Sequence, residues 1–276
     1  MPFCHLSPDQ ITALQRQLSD LEAGSVRQWF WLELAHQRPA SNTRRVRALA
    51  WLLQRGGPAL AWPWLRCSGT PGTTLYAGQA VPLWRGLAQS RQDGLLLLLC
   101  LSALLAGFER LPASQAFAAW CIAGFGALWQ ASRARTPVPS ADDDADDGEA
   151  LPGPESSLGL AGILISRGVA PRDAMTLVAL LQQQGDAALT ALLHALPELA
   201  PPAPRPAAIR VLRAGNWLGA TLPPSLLIAQ LPAPWGLLAA AACGMACAGV
   251  RSRMAGLLVG MATLIAYALG RIGHVL

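Results

Sequence analysis

The chain has 276 residues, of which 53% are hydrophobic and only 13% are charged. This composition argues against an ordinary soluble protein and indicates a membrane protein with substantial segments outside the membrane. The net charge of +5 does not indicate a nucleic-acid partner, because the arginines are scattered in ones and twos and form no stripe. Arginines near the ends of membrane segments explain this pattern better.

Residues 1–92 are predicted to form a small helical domain outside the membrane. Ser7 is expected to be the N-cap of the first helix, Pro8 its first residue, and Gln10 the second member of a capping box. Gly24 is expected to end that helix.

Two further helices are predicted in 25–37 and 43–55, from their apolar residues at helical spacing. The stretch 62–74 is predicted to be a loop. The start of the chain is polar and has no apolar h-region, so no signal peptide is expected.

Two apolar stretches, 94–108 and 116–129, are predicted to form a transmembrane hairpin within residues 93–131. Each stretch alone is about 22 Å long as a helix, so flanking residues must extend it across a hydrocarbon core of about 30 Å. The positive-inside rule places the short turn outside and both outer ends in the cytoplasm, because those ends carry Arg85, Arg91, Arg133 and Arg135.

Residues 132–157 are rich in Pro, Ser and Asp and are predicted to be an acidic linker. A calcium loop within 142–149 is excluded, because neither the required Gly nor the final Glu stands at the necessary position. A solvated tether is the preferred interpretation, and a docking strip for a basic partner is the alternative.

Residues 158–253 are predicted to form a second helical domain in the cytoplasm. Gly168 and Pro171 mark a polar corner that ends one helix and begins the next. A further break is expected at Gly185.

The chain is predicted to end with a transmembrane helix in 254–276. Residues 235–250 are also apolar, but a span there would place Arg251 and Arg253 outside, against the charge bias. Three spans are therefore preferred to four, with 235–250 as a buried or interfacial helix. The predicted fold class is all-α, with two similar small helical bundles and about three transmembrane helices.

The two helical domains share a pattern that indicates an internal duplication. In each, a helix is followed by a corner glycine, Gly24 or Gly168, and by two more helices. Each pattern is followed by a similar pentapeptide, LYAGQ at 75–79 and LRAGN at 212–216.

This arrangement resembles the F-domain inner-membrane platform proteins of type II secretion and type IV pilus machines. In that family an AG-V-P-L corner and a later GE-x-x-G-x-L motif occur twice around a membrane hairpin, before a last span. Residues 23–26 and 168–171 match the corner, and the pentapeptides stand at the later motif. Both motif glutamates are replaced, by Gln79 and Asn216, so the chain is similar to a divergent member.

The resemblance implies a multi-pass protein of the bacterial inner membrane with a cytoplasmic N-terminus. It implies a scaffold that couples a cytoplasmic ATPase to assembly of pilins or pseudopilins. The implied partners are that ATPase, the pilin, other inner-membrane assembly components, membrane lipid and a second copy of the chain. Arg167, Arg172 and Asp173 are the candidate partner-contact residues. The alternative is that they only keep the corner in water, with Asp173 favoured by the positive helix N-terminus.

No catalytic, cofactor or metal site is expected. The four histidines are isolated, and the sequence has no HExxH, GxSxG or P-loop motif. The six cysteines lack metal-binding spacing and are expected to be small buried hydrophobes in a reducing compartment. A membrane transporter subunit is the rival function, although the three predicted spans contain no ionisable residue. A structural subunit of another envelope complex is a further alternative.

Overall fold

The computed structural model describes residues 5–35, 39–133, 159–202, 206–250 and 252–276. Every regular element in these ranges is a helix, which confirms the all-α prediction. The first α-helices are α1 (Pro8–Leu21), α2 (Val26–Leu34), α3 (Arg44–Gly56), α4 (Pro58–Ser68), α5 (Ala77–Gly107) and α6 (Pro112–Ser132). They are followed by α7 (Gly159–Ser166), α8 (Pro171–Gln184), α9 (Leu189–Ala195), α10 (Pro206–Gln230), α11 (Trp235–Gly249) and α12 (Arg253–Val275).

The helices fall into two compact units. The first unit contains the described residues of 5–83 and 159–202, and the second contains those of 84–133 and 206–276. Helix α5 begins in the first unit and ends in the second, without a break at the predicted boundary after residue 92.

The units divide the chain differently from the predicted domains, because helices from both predicted cytoplasmic segments share one hydrophobic core. Trp31 of α2 and Leu160 of α7 are both fully buried in that core. Helix α10, predicted to belong to the second cytoplasmic domain, instead packs along α6 in the second unit.

Short-range signals predicted the corners of the first unit correctly. The Ser7 backbone N–H donates to Gln10 Oε1 at 3.2 Å, and Pro8 is the first residue of α1. Gly24 and Gly168 have φ angles of +85° and +86°, a left-handed conformation that strongly favours glycine. Gly185 ends α8, again with positive φ.

The prediction of a loop over 62–74 is wrong. Helix α4 continues through Pro63 to Ser68, and a 3₁₀ turn at Thr73–Tyr76 leads into α5. Pro58 favours the helix start, and burial of Leu65 against the core outweighs the cost of an internal proline.

Two helical segments of the described chain are long and apolar enough to cross a membrane, by length and composition. They are Thr73–Gly107 and Arg253–Val275, with mean hydropathies of 1.3 and 1.7. They contain the predicted stretch 94–108, except for its last residue, and all of 254–270. Helix α6 and the shorter Trp235–Gly249 do not meet both criteria.

Several predictions fall on positions outside the described residues. These positions are Cys4, His36, Arg251 and, apart from its first two residues, the acidic linker 132–157.

Candidate functional site

The two glycine corners of the first unit, at Gly24 and Gly168, are followed or preceded by arginines that contact the same short segment. Arg167 forms an ion pair with Glu198, with 2.9 Å between Nη2 and Oε1. Arg27, just after the first corner, donates from Nη1 to the backbone oxygens of Glu198 and Ala200, at 3.3 and 3.1 Å. The residues after α9 therefore link the two corners.

Of the three predicted contact residues, only Arg167 has an ion-pair partner among the described residues. Arg172 and Asp173 are exposed in the first turn of α8, where the Asp173 N–H donates to the Ala170 oxygen at 2.9 Å. The described structure gives their charged groups no side-chain partner. At this corner the charge of Arg167 is paired with Glu198, whereas the charged groups of Arg172 and Asp173 are exposed to solvent.

A buried polar network near the first corner was missed by the sequence analysis. Glu22 and Arg27 form an ion pair at 2.9 Å, and their side chains are only 10% and 12% exposed. Tyr76 donates to Glu22 at 3.1 Å and accepts from the Trp31 indole N–H at 3.1 Å. Only the LYAGQ repeat, which includes Tyr76, drew attention to this region.

Gln79 and Asn216, the last residues of the two similar pentapeptides, both donate hydrogen bonds. Gln79 Nε2 donates to the backbone oxygen of Pro201 within the first unit. Asn216 Nδ2 donates to the backbone oxygen of Leu87 at 2.7 Å within the second unit. An ionised glutamate could not donate either bond, so the amides are matched to their partners.

Small side chains line the buried faces of two helices in the second unit, whose core also contains Leu95, Leu98 and Leu99 of α5. On α6 and on α11 the buried residues recur every four positions, which is the spacing of one helix face. They are Gln115, Ala119, Ala123 and Ala127 on α6, and Gly236, Ala240, Gly244 and Ala248 on α11.

Glycines allow backbones of the second unit to approach closely. A Cβ on Gly107 would lie 2.5 Å from the Tyr267 oxygen and 2.8 Å from the Cα of Gly270, so α5 and α12 touch there. A Cβ on Gly126 would overlap the ring of Trp217, whose N–H donates to the Ile122 oxygen at 3.1 Å. Small residues at helix crossings are typical of helix packing in membranes.

Large apolar side chains cover the outside of the second unit. On α6 and α12 they form exposed surfaces with few charges. The exposed residues include Phe117, Phe125, Leu128 and Trp129 of α6, and Leu257, Leu258, Met261, Leu264, Ile265 and Leu269 of α12. Surfaces of this kind are rare on monomeric soluble proteins and indicate contact with lipid or protein.

The two ends of the second unit carry different charge. One end contains the start of α10, the end of α6 and the α11–α12 turn, and its described charges are Arg85, Arg91, Asp93, Arg133, Arg210, Arg213 and Arg253. The opposite end contains the α5–α6 turn and the end of α12, with Glu109, Arg110, Arg271 and His274. The first end is therefore much more basic.

At the less basic end, Glu109 connects the α5–α6 turn to α12. Its carboxylate pairs with Arg271 and lies 3.4 Å from Nε2 of His274. The Arg271 hydrogen bond and charge, with a smaller contribution from His274, lower the pKa of Glu109 below its usual value of 4.5.

A cleft of about 880 Å³ opens between α11, α12 and the start of α6. Its wall is mainly apolar, including Met245, Leu257 and Met261, and its charged groups are Glu109 and Arg110.

The cysteines are not all alike. Cys67 is disulfide-bonded, so the expectation of reduced cysteines is wrong at that position. Cys100, Cys121, Cys243 and Cys247 are free and partly buried. No cluster of three or more His, Cys, Asp or Glu suited to a metal ion occurs in the described part of the chain.

Comparison of the chain with protein-family models, curated proteins and solved structures finds no match.

Proposed function

We propose that this protein is a multi-pass scaffold of the bacterial inner membrane, acting as the platform of a type II secretion or type IV pilus assembly machine. The observation that carries the membrane part is the surface of the second unit, where Phe, Leu, Ile and Met side chains are exposed while Gly and Ala lie at the closest helix contacts. In water this arrangement would expose apolar surface at a high free-energy cost, whereas lipid removes that cost.

All five helices of the second unit cross the bilayer in this proposal. At 1.5 Å per residue, α6, α10 and α12 are each about 30–38 Å long, and α11, at about 22 Å, needs flanking residues to cross a hydrocarbon core of about 30 Å. The charge difference between the ends orients the bundle, with the arginine-rich end in the cytoplasm. The N-terminus is then cytoplasmic and the C-terminus outside.

Two helices in this five-pass topology were not predicted to span. Helix α10 contains Asn216, Pro223 and Pro224, which lower its apolar character. In the bundle, Thr221 and Ser225 donate to backbone oxygens one turn earlier, at 2.9 and 2.8 Å, so their hydroxyls are satisfied.

Reporter fusions would test this topology. Alkaline phosphatase, active only outside, and green fluorescent protein, fluorescent only inside, are fused after residues 110, 145, 232, 252 and 276. Five passes predict outside signals at 110, 232 and 276 and inside signals at 145 and 252. An inside signal at 232 would instead support three passes, and an inside signal at 276 would contradict both topologies.

The platform role is supported by the two corners of the first unit. Both have a positive-φ glycine, and their arginines converge on residues 198–200. Arg172 and Asp173 are charged, exposed and without a side-chain partner among the described residues, which suits contact with a cytoplasmic ATPase.

Co-purification tests that contact. The double variant Arg172→Ala/Asp173→Ala should reduce recovery of the assembly ATPase from membranes. The matched control, Asp20→Ala/Arg45→Ala, removes one exposed acid and one exposed arginine elsewhere in the first unit. Equal loss in both variants, or in neither, would contradict the proposed contact.

The apolar cleft favours a transporter subunit as the second candidate function. Its wall suits an apolar solute better than an ion, because Glu109 already has cationic partners. Solute uptake into proteoliposomes, without any associated ATPase, would support this function over the platform.

A further inference from the structure

We propose that a cavity at the arginine-rich end of the second unit binds the phosphate headgroup of an anionic phospholipid. The cavity has a volume of about 400 Å³ and lies between α5 on one side and α11 and α12 on the other. The proposal rests on the membrane placement argued above, which puts this end in the cytoplasmic leaflet.

The α5 side of the cavity supplies cations and hydrogen-bond donors. Arg85, Gln89 and Gln92 lie on one helix face at spacings of four and three, and Arg91 also lines the cavity. Ser252 lines it from the α11–α12 turn. Guanidinium groups bind phosphate with two parallel hydrogen bonds, and amide and hydroxyl groups can donate further ones.

The two arginines are available to a ligand. Neither Arg85 nor Arg91 has an ion pair with any described residue, and Asp93, the nearest acid along α5, is exposed and does not line the cavity. Arg91 is also partly buried. A partly desolvated guanidinium without a counter-charge is unfavourable, and an anion would relieve that cost.

The apolar part of the cavity distinguishes a lipid from a soluble phosphate. Leu95 lies fully buried on the α5 side, while Met254 and Leu258 of α12 line the other side and are exposed outward. A phospholipid would place its phosphate against the arginines and its acyl chains along these side chains. Basic pockets between helices on the cytoplasmic side are known to suit anionic lipid headgroups.

Lipid titration of the full-length protein would test the site. The protein is purified in a neutral detergent, and its thermal unfolding midpoint is followed with added phosphatidylglycerol, phosphatidylcholine or glycerol 3-phosphate. We expect stabilisation by phosphatidylglycerol alone. Arg85→Gln/Arg91→Gln should weaken its apparent affinity by about tenfold or more, since each arginine contributes substantially to anionic-lipid binding.

The matched control is Arg133→Gln/Arg210→Gln, which removes two arginines from the same end but outside the cavity. It should change the apparent affinity by less than about twofold, because general attraction to anionic lipid falls off within a Debye length. Arg85→Lys/Arg91→Lys keeps the charge and should retain part of the binding, which guards against misfolding of the glutamine variant.

The possible results distinguish failure of the lipid site from failure of the proposed membrane location. Equal weakening in the Arg133/Arg210 variant would overturn the site in favour of general surface charge. Equal stabilisation by glycerol 3-phosphate would overturn the lipid as ligand. If alkaline carbonate leaves the protein in the membrane but no lipid effect occurs, only this inference fails. If carbonate extracts it, the membrane proposal fails.

Discussion

The two units of this protein place their phenylalanine side chains differently. In the first unit Phe30 is 0% exposed, whereas in the second unit Phe125 is 71% exposed. The first unit excludes water from large apolar side chains, as soluble domains do. The second unit places small side chains at its closest helix crossings, beside a few buried large ones such as Leu95, Leu98 and Leu99, and exposes many large apolar side chains. One chain therefore packs its helices in two ways, and the proposed membrane location of the second unit accounts for the difference.

The contrast extends to polar groups. The first unit buries a charged network around Glu22 and Arg27, in which Tyr76 links α1 to α2. In the second unit, buried hydroxyls such as Thr221 and Thr263 bond within their own helix. A charged network is thus buried in the first unit, whereas hydrogen bonds between helices inside the second unit come from neutral donors, such as Asn216 to Leu87 and Trp217 to Ile122.

Truncating a phenylalanine in each unit tests the comparison most strongly. Phe30→Ala should destabilise the protein by about 3–5 kcal/mol, because it leaves a cavity in the first core. Phe125→Ala should change stability by less than about 1 kcal/mol. Denaturant unfolding in detergent, monitored by circular dichroism, measures both. A loss at Phe125 as large as that at Phe30 would show that the second unit buries this face.

Removing an arginine from each corner gives the next largest effect. Arg27→Ala should cost about 3 kcal/mol, because Glu22 would remain as a nearly buried charge without its cation. Arg167→Ala should cost less than about 1 kcal/mol, because both partners of its ion pair are about half exposed.

The same unfolding assay measures both arginine variants. The double variant Arg27→Ala/Glu22→Gln serves as a further control, since it removes the uncompensated charge and should recover part of the loss. A larger effect at Arg167 than at Arg27 would contradict the assigned roles of the two corners.

Alanine substitution at two glycines of α6 tests close packing in the second unit. Gly126→Ala should destabilise by about 1–3 kcal/mol, because its Cβ would overlap the buried ring of Trp217. Gly124→Ala is the matched control, since no atom lies within 4 Å of the added Cβ and alanine is the better helix former. A destabilised Gly124 variant with an unaffected Gly126 variant would reverse the assigned helix faces.

Local features of the fold could be predicted from sequence, and long-range pairing could not. The start at Pro8 and the corners at Gly24 and Gly168 follow from capping and backbone sterics, which depend on neighbouring residues. The packing of α2 and α7 in one core could not be predicted. The sequence pattern of each helix indicates an apolar face, but it does not indicate which other helix covers that face.

The same limit explains what was missed in the candidate site. Arg167 was singled out from the sequence as a polar corner residue, but its ion pair with Glu198 could not be foreseen, because it joins positions 31 residues apart. Helix α10 was not predicted to belong to the bundle, because Asn216 and its two prolines interrupt the apolar pattern of its sequence. Its apolar face is evident only in the structure, where it packs along α6.

The smallest expected effect is a pH dependence at the less basic end of the second unit. Because the folded-state pKa of Glu109 is lowered, its carboxylate stabilises the folded protein above the usual pKa of 4.5. This contribution is lost as the pH falls below 4.5 and through the lowered folded-state value, since protonation removes the pairing with Arg271. At neutral pH the contribution is fully present.

Glu109→Gln should therefore lower the thermal midpoint slightly at pH 7 and make no further difference once the wild-type carboxyl is protonated. The thermal midpoints of the two proteins should converge as the pH falls below 4.5. Asp93→Asn, an exposed acid of α5 with no ion pair in the described part of the chain, controls for the general effect of acid. Parallel curves for wild type and Glu109→Gln across this range would show that the link between the α5–α6 turn and α12 does not depend on the charge of Glu109.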